Sequence, residues 1–345
     1  MNPFRLISAY RTQLMALATL AVLFTHLPVT FETFALARLK LLGIFGVDVF
    51  FFVSGFGLYY SFLKDPMTLR FYGKRLRRIL PPFLALLVLH LCWSGTWSWT
   101  TFLHHASTLG FWIPTWKWGF FGWYVSAILV CYLLFPPIFF AMKRRPVLAT
   151  IAVTLIGLAL CGGYAYYYFV LNPGKYNALI LFFGRIPVFV LGAFCGHLAQ
   201  RTSIPRPCLT EGLLVVAACL SFLGVNLLLD IYGYTTMRNN GLLFLLPALI
   251  VPGTCLALAR LLSFTGKHFN AVLIFIGTAT LEAYLLLGDV FSLKTKVSEL
   301  PHISNQHVIA LILMVLCVLL AWLCHKFINI FISLPARIFR IVKRQ

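Results

Sequence analysis

Acidic side chains are almost missing from this chain. Eight Asp and Glu serve 345 residues, and all charged residues together make up 10%, where a soluble domain carries about 25%. So little charge excludes a water-soluble globular fold. The nine Cys include no C-x-x-C pair and sit mostly inside apolar runs. That excludes a zinc ribbon or a disulfide framework and leaves small buried hydrophobes. No polar block, internal repeat, heptad array or low-complexity linker interrupts the chain, which removes a second domain, a solenoid and a coiled coil. The first apolar run lacks a small-residue cleavage site, so it is expected as a retained helix rather than a removed signal peptide. One membrane domain is expected over 1–345.

What is present is hydrocarbon. Hydrophobic residues make up 61% of the chain, and the mean hydropathy is +0.92. A spanning helix needs about 20 mostly apolar residues. Ten segments qualify: 12–31, 41–63, 79–98, 119–140, 147–170, 178–199, 211–232, 241–262, 271–290 and 307–330. The expected fold is an all-α polytopic bundle of about ten transmembrane helices. With the N-terminus inside, eighteen of the 28 Lys and Arg fall on inner segments and seven on outer ones. The positive-inside rule therefore predicts both termini in the cytoplasm. The net charge of +20 belongs to short loops facing anionic lipid headgroups, not to one soluble face, so nucleic acid is not an expected partner. The stretch 99–118, with Trp112, Trp116 and Trp118, is too polar to span. It reads as an outer re-entrant or interfacial segment, serving as an aromatic belt or as a substrate gate.

Ionisable residues inside spans are expensive and therefore informative. The set comprises His26, Asp48, His90, Arg185, His197, Asp230, Arg260, Glu282 and Asp289. Asp230, Arg260, Asp289 and His197 lie near expected helix ends and read as structural. His26, about five residues before the end of one span, and Asp48, about seven after the start of the next, fall at similar depth in the outer half. An Asp there fixes an imidazole tautomer and makes His26 a competent general base; a structural ion pair is the plain alternative. Arg11 precedes His26 by fifteen residues, about 22 Å along the axis and about 60° around it, so one helix presents a cation inside and a base outside. The loop Lys64–Arg78 holds six basic residues before Pro81-Pro82 opens the next helix. That density suits a polyphosphate ligand or anionic lipid.

These residues also carry a resemblance. Gly46-Val47-Asp48-Val49-Phe50-Phe51-Phe52-Val53-Ser54-Gly55-Phe56 resembles the signature of the membrane-bound acyltransferase 3 family. So does the first helix, where Arg11 and Leu14-Met15 lead to Leu23-Phe24-Thr25-His26. Phe71 through Pro82 resembles that family's basic loop. Trp123-Tyr124-Val125-Ser126, Arg185 through Gly192 and Gly277 through Tyr284, with Glu282, are similar to further elements.

The resemblance implies transfer of an acyl group, often acetyl, from cytoplasmic acyl-CoA to a hydroxyl of an extracytoplasmic glycan or lipid-linked sugar. Carried over, His26 and Asp48 become the catalytic residues, and Arg11, Lys74, Arg75 and Arg78 the donor-binding ones. Tyr124, Arg185 and Glu282 become candidates for polarising the carbonyl or placing the acceptor. No metal and no resident cofactor is expected; acyl-CoA is a co-substrate, and membrane lipids are the remaining partner. The expected location is a cytoplasmic membrane of bacterial type. Two departures stand out: many members have His where this chain has Leu287, and the Arg11–His26 spacing is about one helical turn longer. The missing histidine leaves its role absent or filled by Glu282. The rival readings are a secondary transporter or a structural subunit of a polysaccharide export system. The absence of a repeat and the basic cluster near a signature Asp count against the transporter; a structural subunit would tolerate replacement of His26.

Overall fold

The computed structural model describes residues 2–113, 121–171, 178–239, 242–298 and 305–342. Trp116 and Trp118 lie outside the described residues. The chain is 84% helical, with no strand among the described residues. Among the described residues, eight helical runs are long and apolar enough to cross a bilayer, and a bent pair, broken by 71°, makes up to a ninth.

The helices that matter here are α1 (Arg11–His26), α2 (Phe45–Lys64), α3 (Thr68–Trp93), α4 (Trp123–Arg144) and α5 (Pro146–Tyr166). They are followed by α6 (Ile186–Ala199), α7 (Pro207–Tyr232), α8 (Pro247–Leu262), α9 (Lys267–Thr278), α10 (Thr280–Phe291) and α11 (Gln306–Val342). Each of the ten expected spans meets a helix, with α9 and α10 sharing one.

The boundaries differ in three instructive places. α1 stops at His26, five residues short of the expected end, because Leu27 precedes Pro28 and is pushed to φ −53°, ψ 130°, the extended region that a following proline imposes. His26 is therefore the last helical residue. The expected outer loop instead carries a short helix, Phe34–Leu42, so α2 begins at Phe45 and Asp48 falls in its first turn. α3 begins at Thr68, eleven residues before the expected start, and takes the basic loop into the helix with Pro81 and Pro82 inside it. Membrane helices tolerate such prolines where neighbours satisfy the freed carbonyls.

Burial sorts the bundle into a centre and a periphery. The runs containing α2 and α6 are 78% and 72% buried over their apolar windows, against 17% for α7. α2 and α6 cross in close contact through two glycines. A Cβ on Gly192 would sit 2.0 Å from the Phe52 carbonyl oxygen, and one on Gly55 would sit 2.1 Å from that of Phe189. Lipid tails are as apolar as leucine, so such backbone approach and its dispersion contacts drive helix association here. α5 and α7 turn Ile151, Leu155, Leu220, Leu223 and Leu227 outward, as a lipid-facing surface requires.

Candidate active site

Two cavities lie between the central helices, and α10 walls both. The first gathers Arg11 from α1, Arg75 and Arg78 from α3, and Tyr124, Tyr132, Glu282 and Tyr284. Its basic character follows from helical register. Arg75 and Arg78 are three residues apart on a helix, so they share a face. Lys74 points away and pairs with Asp65 at 2.8 Å, a contact that holds the partly exposed Asp65 carboxyl below its usual range. Arg75 lies over the Phe71 ring, 5.5 Å from its centroid, and the Tyr132 ring, 6.0 Å away. Gly57 makes room for Arg11: a Cβ there would meet its Nη1 at 2.5 Å. Glu282 also faces this cavity, bonded to His325 of α11 at 2.8 Å; the other ring nitrogen of His325 bonds Asn329 at 2.9 Å.

The second cavity holds His26, His90, His105, Asp289 and Trp123, and no Lys or Arg among the described residues. The His26 Nδ1 lies 2.8 Å from the Val22 carbonyl oxygen. A carbonyl only accepts, so Nδ1 carries the hydrogen and Nε2 is left with its lone pair. His105 comes from a short helix, Trp99–Ala106, whose N-cap Ser98 accepts from the Thr101 N–H. The expected interfacial segment thus covers this cavity. Phe121 N–H donates to His105 Nδ1 at 3.2 Å. Burial pushes the His105 imidazole down to about 4, with repulsion from His104 and His90 adding to it, so the ring stays a neutral acceptor.

Tyr284 lines both cavities, and its hydroxyl accepts the Tyr124 N–H at 3.3 Å. Along α10, Glu282 faces the basic cavity and Asp289 the histidine cavity. Their seven-residue separation is about 10 Å of helix.

Asp48 does not orient His26, contrary to the sequence expectation. The Val22 carbonyl does that, while Asp48 Oδ1 lies 3.1 Å from Arg185 Nε, with both side chains 1% exposed. The angle of that ion pair is outside hydrogen bonding, and neither Asp48 oxygen has a hydrogen-bond donor among the described residues. Arg185 Nη1 donates to the Leu181 carbonyl at 2.7 Å, and its guanidinium lies over Trp123 at 5.2 Å and Phe244 at 4.8 Å. Asp48 and Arg185 line neither cavity. The physical reason is rotation: similar depth on two helices does not make two side chains face each other. Tyr124, expected beside the acceptor, lines the basic cavity instead. Glu282 cannot replace the histidine missing at Leu287, because Leu287 lines the other cavity.

A basic chamber and a histidine chamber thus share one helical wall. The family pattern described as an acyltransferase domain matches residues 13–326, nearly the whole chain. This chain belongs to the acyltransferase 3 family. It is a multi-pass membrane acyltransferase. No curated protein and no solved structure matches it.

Three groups that line the cavities of this acyltransferase escape sequence reasoning. His325 lies inside the expected last span and met the same criterion as His26. Asp289 was read as structural from its position near a helix end, although it lines a cavity. His105 sits in the interfacial segment, where no depth rule applies.

Proposed function

We propose that the protein moves an acyl group, acetyl in the simplest case, from cytoplasmic acyl-CoA to a hydroxyl of an extracytoplasmic glycan or lipid-linked sugar. The observation that carries this reading is the charge contrast between two cavities that meet at Tyr284. Three arginines at one suit the donor's phosphates, because guanidinium groups bind phosphate oxygens through paired charge-assisted bonds. The positive-inside count supports a cytoplasmic position for that end and for both termini. The basic cavity encloses about 120 Å³ and the histidine cavity about 520 Å³. Small-molecule pockets run about 300–1,000 Å³. The first therefore admits a thin pantetheine-like arm while the nucleotide stays at its mouth. The second has room for a sugar ring.

The chemistry follows from His26. Its Nε2 takes the proton of the acceptor hydroxyl as that oxygen attacks the thioester carbonyl. The carbon–sulfur bond breaks, and the imidazolium returns the proton to the departing thiolate, giving an ester and free CoA. Asp48 acts at a distance: paired to Arg185, it fixes α2 against α6 and seats Trp123 at the edge of the acceptor cavity. The protein works in the cytoplasmic membrane of a cell with a glycan envelope.

The test is mass spectrometry of envelope glycans from cells with and without the gene, together with CoA release by purified protein given acetyl-CoA. A discrete loss of acyl mass on one glycan is the expected result. Unchanged glycans together with no CoA release would overturn the proposal.

A further inference from the structure

The histidine cavity contains a second imidazole that the reaction above leaves unused. His90 of α3 meets Asp289 of α10, with Nδ1 2.7 Å from Oδ1, and its ring stacks on Phe121 with centroids 4.7 Å apart. A carboxylate facing Nδ1 accepts its hydrogen, which leaves His90 Nε2 for a ligand. The two side chains are 32% and 16% exposed, against 1% for Asp48 and Arg185. One carboxylate pair is therefore sealed in packing, while the other opens onto the space that His26 faces. Among the described residues the lining also offers the hydroxyls of Ser94, Thr96 and Thr101 and no cation. These hydroxyls, imidazoles and one carboxylate suit an uncharged polyhydroxylated ligand.

We propose that His90 and Asp289 form an acceptor-binding subsite that grips the hydroxyl next to the one being acylated, so that the enzyme selects a vicinal diol. The inference rests on the acyl-transfer reading only for what happens to the bound hydroxyl. His90 Nε2 and the second carboxylate oxygen of Asp289 are acceptors for the neighbouring hydroxyl hydrogen. The reacting hydroxyl is then turned toward His26 Nε2.

The test uses a matched pair of probes, trans-1,2-cyclohexanediol and cyclohexanol, on the full-length protein in detergent. Diethyl pyrocarbonate modification, read by peptide mass spectrometry, reports access to His26 and His90. The diol is expected to slow both modifications at least threefold, and cyclohexanol to leave them unchanged. Asp289→Asn is expected to abolish the protection. Equal modification with and without the diol overturns the subsite, as does a His90 that the reagent cannot reach. With acetyl-CoA supplied, the wild type is expected to prefer the diol by roughly tenfold in kcat/KM, the scale of one charge-assisted hydrogen bond. His90→Gln and Asp289→Asn are expected to lose that preference through the acceptor KM, with the acetyl-CoA KM unchanged. A retained preference overturns the proposal. Diol protection without acetyl ester on either probe overturns the acyl-transfer reading and leaves the subsite standing.

Discussion

The two cavities differ in what they can hold, and the difference comes from depth along three helices. The basic one draws its charge from Arg11 at the start of α1 and from Arg75 and Arg78 on one face of α3. The other takes His26 from the end of α1, His90 from the later part of α3 and Asp289 from the end of α10. Two of these helices, α1 and α3, thus present arginines at one end and imidazoles at the other, while α10 presents Glu282 to the first cavity and Asp289 to the second. A membrane protein can build two chemically opposite sites from one set of helices, because depth along each axis sets which ligand meets which residue. Tyr284, shared by both linings, is where the two environments meet.

Substitutions at the extremes should break this comparison most strongly. His26→Ala removes the group assigned to proton transfer and is expected to lower kcat by about a hundredfold to ten-thousandfold. CoA release checks this, with acetyl-CoA binding retained as the control. Asp48→Asn leaves Arg185 charged and unpaired in the packed centre. The expected destabilisation is about 3–5 kcal/mol, read as a fall in the thermal midpoint in detergent. Asp48 would then prove to be a second catalytic group if activity vanished with the midpoint unmoved. The basic cavity is tested by Arg75→Ala and Arg78→Ala. Each should raise the acetyl-CoA KM by roughly tenfold or more, since hydrogen bonds to charged groups contribute about 1.5–3 kcal/mol. Lys74→Ala, turned to Asp65, should change it little; an equal effect at Lys74 would dissolve the cavity as a distinct donor site.

The smallest effect is a pH dependence in the cover of the histidine cavity. His105 sits at about 4 in the folded protein, below the unfolded value of about 6.5. Between those values the unfolded segment binds the extra proton. The stabilisation by neutral His105 is therefore complete above about pH 6.5 and is lost as pH falls toward 4. Amide protection factors of Trp99–Ala106, corrected for the intrinsic exchange rate at each pH, should fall over that window, and His105→Gln should flatten the response. Protection factors independent of pH in the wild type would detach His105 from the cover.

Much of the site was legible from spacing. Arg75 and Arg78 share a face once α3 is helical, and His26 and Arg11 were separable by axial rise alone. Lys74 was misplaced because a basic cluster read as a loop has no faces, whereas the same cluster on a helix divides into an inward pair and outward neighbours. Asp48 was misassigned because depth is a property of one helix, and partnership depends on how two helices are rotated. His325 and Asp289 were missed as partners for the same reason: each meets its counterpart across the bundle, 43 residues away for Glu282–His325 and 199 for His90–Asp289.

By itself the sequence determined that this chain enters a membrane, where its helices lie along the bilayer normal and which polar groups each carries to which depth. Hydrophobic run length and the 3.6-residue turn are local quantities, so they can be read one segment at a time. Only the tertiary structure decided that Val22 rather than Asp48 sets the His26 tautomer, that Asp48 belongs to Arg185, and that one helix walls two chambers. Those outcomes depend on rotation and crossing between helices. Glycine contacts, a broken α9–α10 pair and the packing of side chains from distant segments set that geometry, and no single segment encodes it.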